Sequence, residues 1–196
     1  MNVWLNLVGC PIKVKGKENF IPGKTYVITC NHNSLMDVPL SCPYIPGPNK
    51  TIAKSSFAKI PLFGFFYMKG SVLVDRKSEG SRRKSLEKMK AVLAKGMHMS
   101  IYPEGTRNRT TEPLKKFHDG AFKLAADTGC AIIPTVMFNT KKVLPMGKPF
   151  YFWPHKLAIH FLPAVPLNEN ESYTALKEKV FEVMKEHYVK NLYRSL

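Results

Sequence analysis

The chain has 196 residues, 44% of them hydrophobic, which is the size of one globular domain with a sizeable core. Thirty Lys and Arg against fourteen Asp and Glu leave a formal charge of +16, so its field attracts anionic partners: phospholipid, phosphorylated small molecules or nucleic acid. The four cysteines, Cys10, Cys30, Cys42 and Cys130, form no C-x-x-C pair and no zinc-type spacing with His, which argues against a metal framework and suits a reducing cytosol.

Residues 1–25 read as a lead-in whose only apolar run is 3–8, and no segment has the layout of a cleaved leader. The longest apolar run, 61–68, falls far short of the roughly 18 residues that span a bilayer, so any membrane contact is expected to be peripheral. Strands are expected at 26–30, 71–74, 99–102, 131–138 and 157–162 from their short β-rich apolar runs. Between them lie helical patterns. A short one covers 35–41; residues 81–95 carry Leu86, Met89, Val92 and Leu93 on one stripe, with Gly96 as C-terminal cap. Residues 119–128 repeat the arrangement with Gly129, and 172–193, with Leu176, Val180, Val183 and Met184, read as an amphipathic helix closing the chain. The Pro-rich stretches 42–48 and 145–154 read as loops, not linkers, so the layout is α/β in a single domain over 1–196.

Three polar blocks follow strands. The first, Asn31-His32-Asn33-Ser34-Leu35-Met36-Asp37, spans a strand-to-helix junction, where open α/β sheets bind ligands. Five residues on a regular helix separate two side chains by about 140°, so His32 and Asp37 meet only across a bend. With His32 in the loop and Asp37 in the first helical turn, the carboxylate accepts from one ring nitrogen and the other is free to take a proton from a hydroxyl. Ser34 to Asp37 is equally a capping box in which Asp37 only closes the helix start, and the segment by itself does not choose.

The second block, 70–76, is an apolar strand ending in Asp75-Arg76, where an Arg can grip a phosphate through two parallel bonds; a simple loop pair is the plainer reading. The third, Tyr102-Pro103-Glu104-Gly105-Thr106-Arg107, places a glycine and a guanidinium just past a strand, either as an anion cradle or as a turn with a surface Arg.

In order and spacing these blocks, with Ile133-Pro134-Thr135 as a fourth, resemble the PlsC-like glycerolipid acyltransferases, the family of 1-acylglycerol-3-phosphate acyltransferases. The resemblance covers about 27–136. It implies a central, mostly parallel mixed sheet covered by helices. It also implies a His32–Asp37 general-base dyad that needs no metal or cofactor, and a phosphate site made of Arg76 and Arg107, shaped by Glu104, Gly105 and Thr106, with Lys54 alongside. The implied reaction moves a fatty acyl group from acyl-CoA or acyl carrier protein to a lysophosphatidate-like acceptor at the cytoplasmic face of an anionic phospholipid membrane, as a step of phospholipid biosynthesis. Other lysophospholipids or glycerol phosphate are alternative acceptors, and a non-catalytic basic membrane-binding module is the alternative without chemistry.

Two departures stand out. Asn108 replaces the Ser that often follows the third block, and on the sequence it touches no assigned role. Many relatives also carry hydrophobic helices before the first block, whereas only 30 residues precede Asn31 here; either the protein docks without such helices or 1–25 is the remnant of an anchoring segment. The expected docking surface is 57–68, with Phe57, Ile60, Leu62, Phe63, Phe65, Phe66 and Tyr67 flanked by Lys54, Lys59 and Lys69, and with Trp153 at the same interface. An ordinary buried helix broken near Pro61 and Gly64 competes for some of those aromatics. Cys30 is a rival covalent nucleophile, and a thioesterase using the same dyad is a second rival. No nucleic-acid motif appears and the basic residues are spread along the chain, so nucleic acid is not an expected partner.

Overall fold

The computed structural model describes residues 2–59, 63–75, 77–147 and 151–192. Seven strands form one sheet in the order β1-β7-β6-β2-β5-β3-β4. In chain order they are β1 (Ile12–Lys15), β2 (Val27–Cys30), β3 (Asn49–Lys54), β4 (Ser71–Val74), β5 (His98–Ile101), β6 (Ile132–Phe138) and β7 (Leu157–Phe161). All neighbours pair parallel except β6 with β7. Both faces are covered, and that explains why β6 is buried at every position and reads as a continuous apolar run.

Alternation along the strands feeds two cores. Val27 and Ile132 point to one face, where Met89, Val92 and Leu93 of α4 (Glu79–Ala94), Leu124 of α5 (Gly120–Thr128) and Leu176, Val180 and Met184 of α7 (Tyr173–Asn191) meet them. Ile28 and Ile133 point to the other, against Leu5 of α1 (Asn2–Leu7) and Leu40 of α2 (Asp37–Ser41). Two further helices are α3 (Phe63–Gly70) and the short α6 (Thr140–Val143). Among the described residues no helix is long and apolar enough to cross a membrane.

Two strands have no counterpart in the sequence reading. β1, IKVK, is a four-residue edge strand with alternating burial, and β3, NKTIAK, contributes only Thr51 and Ala53 as buried side chains. Helix starts shift by a residue or two: Ser78 caps α4, its hydroxyl accepting from the Ser81 N–H at 3.2 Å, and Ser172 does the same for α7.

Because β2, β5, β3 and β4 are mutually parallel, their carboxyl ends share one edge of the sheet. The first block leaves β2, the third leaves β5, Lys54 ends β3 and the second block ends β4. Sequence-distant segments thus converge where open α/β sheets place ligands.

Candidate active site

The loop after β2 is held by side chains acting as backbone. Asn31 extends the β2–β6 ladder with its amide, donating to the Met137 carbonyl at 2.9 Å and accepting from the Met137 N–H at 2.7 Å. His32 comes next, and its backbone groups are fixed by the third block and by the residue that follows it. Its N–H donates to Glu104 Oε1 at 2.7 Å and its carbonyl accepts from the Asn108 N–H at 2.6 Å.

The His32 ring and Asp37 meet across the bend. His32 Nδ1 lies 2.8 Å from Asp37 Oδ2, and that same oxygen accepts the Asn33 and Ser34 N–H groups at 2.6 and 2.7 Å. Asp37 is fully buried at the first position of α2. One carboxylate oxygen thus meets the His32 ring and reaches back to the Ser34 N–H, while the capping box is only half formed, since Ser34 Oγ accepts the Met36 N–H and α2 begins at Asp37 itself. Among the described residues Asp37 Oδ1 is buried without a partner, and the hydrogen bonds of the carboxylate run through Oδ2. Ser34 Oγ donates to the Leu144 carbonyl at 2.8 Å, tying the loop to the segment after α6. Tyr102 stands against the imidazole, ring centroids 4.6 Å apart, with its hydroxyl 2.9 Å from Ser41 Oγ. Burial holds the Tyr102 phenol well above its usual range, so at neutral pH it is a wall and not a base.

With Nδ1 engaged by Asp37, Nε2 is the ring nitrogen left to take a proton. His32 lines a cavity of about 670 Å³, within the range of small-molecule sites. The lining of that cavity includes four cations, Lys54, Arg107, Arg109 and Lys115, and five apolar or aromatic residues, Leu35, Val38, Ile52, Phe57 and Tyr67. Gly105 and Thr106 also line it, and Gly105 sits at φ 72°, a conformation that glycine adopts without strain. Lys115 Nζ donates to Thr106 Oγ1 at 2.6 Å.

Glu104 lies behind the lining, 2% exposed, and accepts the His32 N–H on one oxygen and the Lys115 N–H at 3.0 Å on the other. Burial raises its pKa, and those two backbone donors counter the shift. It therefore couples the base loop to the cationic rim instead of shaping an anion site directly. Asn108 is buried, donates to the Glu112 carbonyl and accepts the Thr110 N–H, closing the turn that bears Arg107 and Arg109. The residue given no role on the sequence is thus a fixture of the site; an Asn followed two residues later by Thr is the turn signal that could have found it.

Arg76 lies outside the described residues. Its neighbour Asp75 accepts the Lys77 N–H at 3.1 Å in a loop turn, and Val74 pairs with Lys54. Arg109 and Lys115 were missed because neither belongs to a strand-end block. The 57–68 segment divides. Phe57 and Tyr67 stack at 5.0 Å and line the cavity, whereas Phe65 and Met68 are exposed. Gly64 permits this folding-back, since a Cβ there would collide with the Ala58 carbonyl. Ile60 and Leu62 lie outside the described residues, as do the side chains of Lys59, Phe63 and Phe66. Cys30 is wholly buried, and its thiol is pushed up to about 12 by burial, which removes it as a nucleophile.

A family model described as Acyltransferase matches residues 11–138, which span all four blocks. The chain belongs to the acyltransferase family. It is 31% identical over 174 residues to a 1-acyl-sn-glycerol-3-phosphate acyltransferase of Chlamydomonas reinhardtii, covering 86% of this chain and 52% of that protein. It is 29% identical to one of Borreliella burgdorferi, covering 98% of this chain and 75% of the other. The chain thus spans about half the length of the algal relative. The crystal structure of the 1-acyl-sn-glycerophosphate (LPA) acyltransferase PlsC from Thermotoga maritima superposes with a TM-score of 0.81 at 26% identity, over 95% of this chain and 74% of that one. The α/β fold with its mostly parallel mixed sheet is therefore that of the acyltransferases.

Proposed function

We propose that this acyltransferase transfers a fatty acyl group from a coenzyme A or acyl carrier protein thioester to the free hydroxyl of 1-acylglycerol-3-phosphate, giving phosphatidic acid. The observation that carries the reading is the His32–Asp37 pair at 2.8 Å on a cavity lined by both cations and apolar side chains. Neutral His32 takes the hydroxyl proton at Nε2 as that oxygen attacks the thioester carbonyl carbon. The carbon–sulfur bond breaks, and the departing thiolate recovers the proton from the imidazolium. General-base assistance is worth roughly 10²–10⁴-fold, and positioning both lipids supplies the remainder. Asp37 orients and balances the ring. Lys54 and Arg107 hold the acceptor phosphate together with Arg76, while Gly105 and Thr106 give the rim its shape. The names of the relatives support the acceptor, and the apolar residues of the lining suit acyl chains.

The membrane part of the reading is peripheral attachment to the cytoplasmic face of an anionic bilayer, supported by the +16 charge. Acyl transfer assayed against lysophospholipids and glycerol phosphate, with each carrier, tests the whole. Phosphatidic acid formed from lysophosphatidate is expected. Fatty acid released without regard to acceptor would make the enzyme a thioesterase, and no turnover at all would leave a basic membrane-binding module.

A further inference from the structure

Away from the cavity, the largest group of exposed aromatics among the described residues lies before β7, where Tyr151, Phe152 and Trp153 are 36%, 40% and 61% exposed. Three successive aromatics facing solvent are costly unless something covers them. The loop is fixed in place: the Trp153 N–H donates to the Val143 carbonyl at 3.0 Å, and Asn139 Nδ2 donates to the Lys156 carbonyl at 2.9 Å. Its C-terminal part is therefore held to α6 and to the residue that precedes α6.

Its position is the catalytic edge. β7 runs antiparallel to β6, so the chain entering β7 lies at the carboxyl end of β6, beside the end of β2. The bond from Ser34 Oγ to the Leu144 carbonyl connects the base loop to the residue after α6, and Val143 holds Trp153. α1 adjoins the loop as well, because a Cβ on Gly9 would strike Pro154 at 2.8 Å. On α1, Leu5 is buried while Val3 and Leu7, one turn apart, are 74% and 80% exposed.

Charge selects the occupant. None of the chain's 14 acidic residues falls within 1–17 or 128–168, while Lys141, Lys142 and Lys156 are exposed around the loop. A second copy would bring like charge against like charge, whereas an anionic bilayer offers apolar depth below a negative surface. Tyr, Phe and Trp flanked by Lys are interfacial composition. We propose that the 151–153 aromatic loop, with the exposed lysines of α6 and Lys156, is the element that inserts into an anionic lipid surface, setting the catalytic edge against the membrane from which the acceptor lipid is drawn. This names the docking element of the peripheral-membrane reading and rests on it, but not on the acyl chemistry.

The chain has two tryptophans, Trp4 and Trp153, so a Trp4→Phe variant reports on the loop alone. With phosphatidylglycerol vesicles its emission is expected to shift to the blue, with little shift on phosphatidylcholine vesicles. In co-sedimentation, Phe152→Ser/Trp153→Ser in the otherwise native chain should lower partition onto phosphatidylglycerol about tenfold or more, at an unchanged melting temperature. Its turnover of short-chain substrates below their micellar concentration should be unaffected. Phe65→Ser/Met68→Ser serves as comparator and should lose less. If the native chain binds anionic vesicles and the loop variant binds as well, or if only the α3 variant loses binding, the loop assignment is overturned. Failure of the native chain to bind removes the membrane reading itself, and neither result bears on whether acyl transfer occurs.

Discussion

The base loop and the cationic rim line one cavity, yet they are built differently. Around His32 every fixture is short and buried: the Asp37 carboxylate, the Glu104 carboxylate, the Asn108 N–H and the Asn31 amide bridge. Around the rim, Lys54 and Arg109 are exposed on solvent-facing segments, and Lys115 reaches a neighbouring threonine hydroxyl. A general base must be aligned before the reaction begins, since misplacement costs rate directly. Cations that gather a mobile phosphate gain from being adjustable, with the phosphate itself completing their order. Rigidity is thus concentrated where chemistry is proposed, and compliance where the acceptor is proposed to be gripped.

That contrast predicts separable kinetic effects. His32→Ala should have the largest, lowering kcat by about 10²–10⁴-fold or more in steady-state transfer assays while the melting temperature holds. Asp37→Asn should follow. Because one oxygen both orients His32 and takes two backbone N–H groups, kcat and melting temperature should fall together. Loss of melting temperature alone, measured by calorimetry beside the assay, would leave Asp37 as a cap only.

On the rim, Arg107→Ala should cost one charge-assisted contact of about 1.5–3 kcal/mol, or roughly ten- to a hundredfold, in the KM for the phosphorylated acceptor. The KM for the thioester should barely move. Glu104→Gln probes the link between the regions: its amide offers one acceptor where two N–H groups need two, so about 1–3 kcal/mol of stability should be lost in denaturant titration. Part of the kcat should be lost with it. The smallest effect belongs to Cys30→Ala, which should retain nearly all turnover, and mass spectrometry of the native enzyme under turnover should detect no acyl-cysteine.

The base loop was legible in the sequence because its residues are contiguous: a polar heptad after an apolar strand announces itself. So were the central strands, whose apolar runs reflect burial on both faces. Along the rim the signal weakened, since Arg109 and Lys115 reach the cavity only through the turn that Asn108 closes, and a turn's path is not written in hydrophobic period. β3 stayed hidden for a related reason. Four of its six residues are not buried, so tertiary pairing rather than its own pattern makes it a strand. Phe57 and Tyr67 read as surface because aromatic composition alone does not say whether a ring faces lipid outside or a ligand within.

The most direct test of the division between the two regions is the ratio of kcat/KM for lysophosphatidate to that for the corresponding monoacylglycerol, in the native enzyme, Arg107→Ala and His32→Ala. A native ratio of at least about ten to a hundred is expected, falling sharply in Arg107→Ala. In His32→Ala the ratio should persist while both values drop together. A native enzyme that accepts the two acceptors equally, or a His32→Ala variant that keeps its rate on either, would contradict it.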